Sequence, residues 1–118
     1  MKTGIIVDDA AFMRMRLKDI LDEEFRIVAQ AEDGEKALSL YREYRPDFVT
    51  LDITMPRTDG IEALKKIMDS FPDARVIIVS AVGQKQIVFQ ALANGAKDFV
   101  VKPFDPSRVV QAVRRLFA

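Results

Sequence analysis

The sequence predicts a single α/β domain: five β-α repeats forming a doubly wound, parallel five-stranded sheet with helices on both faces. Three observations carry this. The chain has 118 residues, the size of one domain. Short apolar runs rich in Val, Ile and Phe alternate five times with longer segments of helical spacing. The runs mostly lack polar alternation, as strands covered on both faces do.

In chain order, Gly4–Asp8 predicts the first strand, and Met13, Leu17, Ile20 and Leu21 stripe the first helix. Arg26–Ala31 predicts the second strand. Asp33 caps the next helix, whose stripe is Ala37, Leu38, Leu40 and Tyr41. Phe48–Asp52 is the third strand. Asp59 with Glu62 resembles a capping box ahead of Ile61, Leu64, Ile67 and Met68. Arg75–Ser80 is the fourth strand, followed by a weaker stripe of Val88, Ala91 and Leu92 that Gly95 terminates. Asp98–Val101 is the fifth strand. Asp105-Pro106 reads as N-cap and first helical position before Val109, Val110, Val113 and Phe117. Right-handed crossovers cover both faces only if the winding reverses once.

Composition narrows the chemistry. No cysteine excludes disulfides, thiolate metal sites and Cys nucleophiles, and no histidine excludes His catalysis and a phosphohistidine on this chain. Lys plus Arg equals Asp plus Glu at 18 each, so no net charge draws the chain to nucleic acid or an anionic membrane. Asp8 and Asp9 interrupt the N-terminal apolar run, which excludes a signal-peptide pattern there. No apolar stretch approaches the ~20 residues that span a bilayer. A cytoplasmic protein without membrane insertion is expected.

Polar residues collect at one edge. The first strand ends at Asp8-Asp9, the third at Asp52 and the fourth at Ser80, and the fifth runs into Lys102. The second ends Ala31-Glu32 and offers nothing distinctive. Ligands of open parallel α/β sheets bind at the carboxyl ends of the strands, near the reversal. Three acids gathered there repel one another, and burial raises their pKa values. A divalent cation resolves this. Mg²⁺ takes hard oxygen ligands and keeps several waters. Asp9 and Asp52 can bind it directly, Asp8 through a water, and a backbone carbonyl just after Asp52 can add a ligand. Lys102 is a point charge suited to a phosphoryl oxygen, and Ser80 can donate to another. The set suits phosphoryl transfer to a carboxylate.

The stretches VDD (7–9), LDITMPRTDG (51–60), VSA (79–81) and KDFVVKPF (97–104) resemble the receiver domain of two-component response regulators. VDDAAFMR and GAKDFVVKP are similar to single-domain chemotaxis regulators of the CheY type. The resemblance spans residues 1–118, with no output domain, and implies the flavodoxin-like strand order 2-1-3-4-5. It makes Asp52 the phosphoacceptor and assigns Asp8, Asp9, Asp52 and the Thr54 carbonyl to Mg²⁺. Ser80 becomes the switch hydroxyl, Phe99 the switch aromatic, and Lys102 the phosphate-binding lysine, before a Pro103 that is usually cis. It implies a phosphoacceptor with self-catalysed transfer and dephosphorylation, not an enzyme. The expected chain is a monomer. It takes phosphate from a histidine kinase and presents its fourth helix, fifth strand and fifth helix to a flagellar switch component. Drawing in Ser80 would move Ala81–Gln84 and let Phe99 turn inward. Thr54 and Val82 stand where some chemotaxis members have Asn and Glu, positions flanking the hydrolytic water, and Phe99 lacks the hydroxyl of a Tyr.

Within the same class, the alternative is a phosphorelay intermediate or a receiver cut from a larger regulator. Outside it stand a flavodoxin-like cofactor binder and a haloacid-dehalogenase-type phosphatase. The first wants a hydroxyl- and glycine-rich loop after the first strand, where the chain has Asp9-Ala10-Ala11-Phe12; the second wants an Asp where Thr54 stands. Met13 is expected to pack, and Arg14 and Arg16 to face water or a partner.

Overall fold

The computed structural model describes residues 1–55 and 59–118. Pro56, Arg57 and Thr58, within the 51–60 motif, lie outside the described residues. Among the described residues, five strands and five helices alternate: β1 (Thr3–Val7), α1 (Ala11–Leu21), β2 (Arg26–Ala31), α2 (Gly34–Tyr44), β3 (Phe48–Asp52), α3 (Gly60–Ser70), β4 (Val76–Ala81), α4 (Lys85–Ala93), β5 (Asp98–Lys102) and α5 (Pro106–Arg115). All strand pairs are parallel, in the order β2-β1-β3-β4-β5. The winding therefore reverses at β1, with β2 on one side and β3 on the other.

Period-two alternation splits each apolar run between two cores. Ile6, Phe48, Ile77, Val79 and Val100 pack with Leu17 and Leu21 of α1 and Val109 and Val113 of α5. Ile5, Val7, Val49, Leu51 and Ile78 face the opposite core, built on α2, α3 and α4. Met13 packs at the margin of the first core, as expected.

The caps follow the sequence. Asp33 accepts from the Lys36 N–H at 2.9 Å, and Asp59 accepts from Ile61 and Glu62. Asp105 occupies the N-cap of α5 with Pro106 behind it, but its side chain makes no capping bond. After α4, Gly95 takes φ +108, and Ala96 and Gly95 donate back to Ala91 and Leu92 at 3.0 and 3.2 Å. That reciprocal pair closes the helix, and a left-handed residue between them favours glycine.

The cover of the edge strands and the bounds of β1, β4 and β5 differ from expectation. Only β1, β3 and β4 are covered on both faces; β2 and β5 are sheet edges and half exposed despite their apolar sequences. The first strand stops at Val7 rather than Asp8, because the Asp8 carboxylate turns back to accept the Ala10 N–H at 2.9 Å. β5 runs one residue further, since Lys102 pairs with Ala81.

Candidate functional site

The topology brings three strand ends together. Asp8, Asp52 and Lys102 continue the alternation of Ile6, Phe48 and Val100, so they project from the α1/α5 face. Asp8, Asp9 and Asp52 each offer a carboxylate oxygen, and these lie within 4.8 Å of one another. Asp8 and Asp52 are 1% and 3% exposed, whereas Asp9 is open to solvent. Lys102 Nζ lies 3.1 Å from Asp8 Oδ2 and 3.3 Å from Asp52 Oδ2, bridging the two buried acids. The Lys102–Pro103 peptide is cis, as the motif implies.

Backbone turns fix the carboxylates. Asp8 Oδ1 accepts from Ala10, and Asp52 Oδ1 accepts from both the Thr54 N–H and the Thr54 hydroxyl, each at 2.9 Å. Thr54 thus spends its side chain on orienting Asp52, and no hydrogen bond among the described residues occupies its carbonyl. Gly60 lets this loop close: a Cβ there would stand 2.3 Å from the Ile53 Cα. Arg14, expected to face water or a partner, is half-buried and turned onto the chain's own backbone. Its Nη1 donates to the Asp8 carbonyl at 2.7 Å, holding the peptide between the two N-terminal acids. A long side chain one turn into a helix folds back toward the N-terminus, which is the signal that could have found it. Arg16 lies over the Phe104 ring at 5.6 Å.

The electrostatics are unbalanced. Burial pushes the Asp8 carboxyl up; the Ala10 N–H opposes this, the Asp52 charge adds to it, and Lys102 pulls it back. Burial alone would lower Lys102, but the charges of Asp52 and Asp8 outweigh it and leave the ammonium more firmly protonated than usual. Among the described residues, three carboxylates face one ammonium, and Arg14 is spent on a carbonyl. A cluster of hard oxygens with uncompensated negative charge fits a divalent cation of the Mg²⁺ kind.

Ser80 and Phe99 lie on the other face of the sheet. Ser80 follows Val76 and Ile78, is fully buried, and its Oγ has no hydrogen-bond partner among the described residues. Phe99 is half-buried against the α2–α4 core. The structure thus brings Asp8, Asp9, Asp52, Thr54 and Lys102 into one site and sets Ser80 and Phe99 behind it. A groove of about 730 Å³ opens beside Asp9, lined by Glu32, Asp33, Asp59 and Glu62 against Lys66. Acids in that number repel the phosphates of a nucleotide or flavin cofactor.

Known proteins resemble this chain over nearly its whole length. The response regulator receiver domain matches residues 5–114. The chain is 51% identical over 116 residues to the chemotaxis protein CheY of Thermotoga maritima, covering 98% of this chain and 97% of that one. It is 54% identical over 112 residues to the chemotaxis protein CheY of Bacillus subtilis, covering 94% and 93%. A chain from the crystal structure of the CheX–CheY–BeF3–Mg²⁺ complex of Borrelia burgdorferi superposes with a TM-score of 0.93 at 44% identity, over 99% of this chain and 90% of that one.

Proposed function

This chain belongs to the response regulator receiver family and is a receiver domain of chemotaxis two-component signalling, and from that premise we propose that Asp52 is its phosphoacceptor. Such domains are signalling proteins rather than conventional enzymes, and they bind Mg²⁺ at an acidic pocket. In this chain Asp8, Asp9, Asp52 and the Thr54 carbonyl would hold the ion. When bound, it neutralises charge on the phosphoryl oxygens.

The chain's own groups do the rest. Thr54 grips Asp52 Oδ1 with two donors, which fixes the carboxylate and leaves Oδ2 to attack. An oxygen–phosphorus bond forms as the phosphorus–nitrogen bond of a kinase phosphohistidine breaks, and the electron pair returns to the imidazole. Lys102 exchanges its carboxylate contacts for a phosphoryl oxygen. The Ser80 hydroxyl, buried without a partner among the described residues, gains one by donating to another phosphoryl oxygen. That displaces Ala81–Gln84 and makes room for Phe99, so α4, β5 and α5 change shape. A flagellar switch component in the cytoplasm reads the changed face. Hydrolysis of the acyl phosphate by the same site resets it.

The observation that carries this reading is the Lys102 ammonium bridging Asp8 and Asp52 inside a triad of acids. The test is intact mass after incubation with Mg²⁺ and acetyl phosphate. The wild-type chain should gain about 80 Da, and Asp52→Asn should gain nothing. An equal gain in the variant would place the modification elsewhere and end the proposal.

A further inference from the structure

β5 ends the strand order, so one of its edges has no neighbouring strand among the described residues. At Phe99 that edge is closed by side chains. The Phe99 N–H donates to Asp98 Oδ1 at 2.7 Å, and Arg108 Nη2, from the first turn of α5, donates to the Phe99 carbonyl at 2.7 Å. The same Nη2 lies 3.3 Å from Asp98 Oδ1, closing the circuit. Arg108 Nη1 is buried and has no hydrogen-bond partner among the described residues. A surface ion pair leaves its spare donors in water. Here the guanidinium is drawn in far enough to strand one nitrogen, so its position follows the carbonyl it serves. Among the described hydrogen bonds, Arg108 reaches neither Asp8, Asp52 nor Lys102.

We propose that Asp98 and Arg108 clamp the main chain of Phe99, making Arg108 a positioning residue for the aromatic switch. The proposal rests on the reading of Phe99 as that switch. One bond restrains the peptide before the Phe99 Cα and the other restrains the peptide after it, so φ and ψ are both held. A push from the loop after Ser80 then turns the ring about χ1 instead of bending the strand. An edge strand without this clamp has pairing on one side only, and its backbone yields. Because Arg108 sits on α5, the clamp also ties the switch strand to a helix of the readout face.

The test uses the full chain and two readouts. Amide hydrogen exchange, followed by ¹⁵N NMR without activation, reads the clamp directly. The ¹⁹F spectrum of chain labelled with 4-fluorophenylalanine, with the Phe99 signal identified among the eight Phe by Phe99→Leu, reads the ring with and without Mg²⁺ and beryllofluoride. Arg108→Ala should speed exchange at Phe99 about tenfold or more and leave Val100, which pairs with Val79, within about twofold. It should cut the beryllofluoride-induced displacement of the Phe99 signal by about half or more, with half-saturation within about twofold of wild type. Arg108→Lys keeps the charge but loses the planar guanidinium that seats Nη2 on the carbonyl, and should fall between; it stands in if the alanine variant does not fold. Unchanged Phe99 exchange overturns the clamp, and so does a full ring displacement in a variant with faster exchange. If the wild-type ring does not respond to beryllofluoride that the site has taken up, the switch role falls. If the wild-type chain takes up none, the receiver chemistry fails and the positioning role with it, while the exchange readout still judges the contact.

Discussion

Asp8 is a buried carboxylate that the fold holds at some cost. Its pKa is raised, first by burial and further by Asp52. A carboxyl whose folded value exceeds the unfolded one contributes stability in full below the ordinary value of 3.8, and loses it as pH rises through the folded value. At neutral pH without a divalent cation, the ionised Asp8 therefore weighs against the folded state. Asp8→Asn keeps an oxygen for the Ala10 N–H and removes the charge. In chelator, urea denaturation at pH 7 should show the variant more stable by about 1 kcal/mol. The gap should close as pH falls toward the carboxylate range. With saturating Mg²⁺ the order should reverse, because only the wild type keeps the full ligand set. A variant less stable in chelator would show that the Lys102 and Ala10 contacts outweigh burial.

At the scale of the element, β3 and β4 each bury a hydroxyl that has no partner among the described residues, Thr50 and Ser80. Thr50 sits mid-strand between Ile6 and Ile77, facing the α1/α5 core. A buried hydroxyl without a partner costs about 1–3 kcal/mol, and valine fills the same shape with a methyl group. Thr50→Val should raise stability by about 1 kcal/mol, or roughly 4 °C in the melting temperature, with phosphorylation unchanged. Ser80→Ala should gain less, because alanine leaves the hydroxyl's space empty, and should abolish the beryllofluoride-induced movement of Phe99. Calorimetry and the ¹⁹F readout separate the two. Loss of stability in Thr50→Val would mean that the hydroxyl has a partner in solution. Sequence reading found the strands, because an apolar run broken by a polar or charged residue marks its own end. It picked out Asp8, Asp9, Asp52 and Lys102 by their places at strand ends, which the structure brings together, and Ser80 near the end of β4, which the structure sets behind them. It misjudged the cover on β2 and β5, since RIVAQA and DFVVK look as apolar as central strands and only the strand order exposes them. It also missed the partners of Arg14 and Arg108, which depend on where a long side chain lands once helices are packed against the sheet.

At the scale of the whole molecule, the site joins parts of the chain that sequence keeps far apart. Lys102 meets Asp8 across 94 positions and Asp52 across 50. The acids follow β1 and end β3, whose pairing places the winding reversal under them, while the lysine reaches over from β5. Both hydrophobic cores press on β1 and β3 from opposite faces. A cation held by Asp8, Asp9 and Asp52 therefore binds the assembled sheet, because in the unfolded chain the acids separate. Binding to the folded state alone stabilises by RT ln(1 + [L]/Kd), about 2.7 kcal/mol at one hundred times Kd. The melting temperature should thus climb with the logarithm of Mg²⁺ concentration above Kd, in a single transition. Asp9→Asn gives the clearest control: Asp9 is exposed, so its loss should leave the metal-free melting temperature within about 1 °C while flattening the Mg²⁺ dependence. A slope that survives in Asp9→Asn would mean that the ion stabilises the fold somewhere other than at the strand ends.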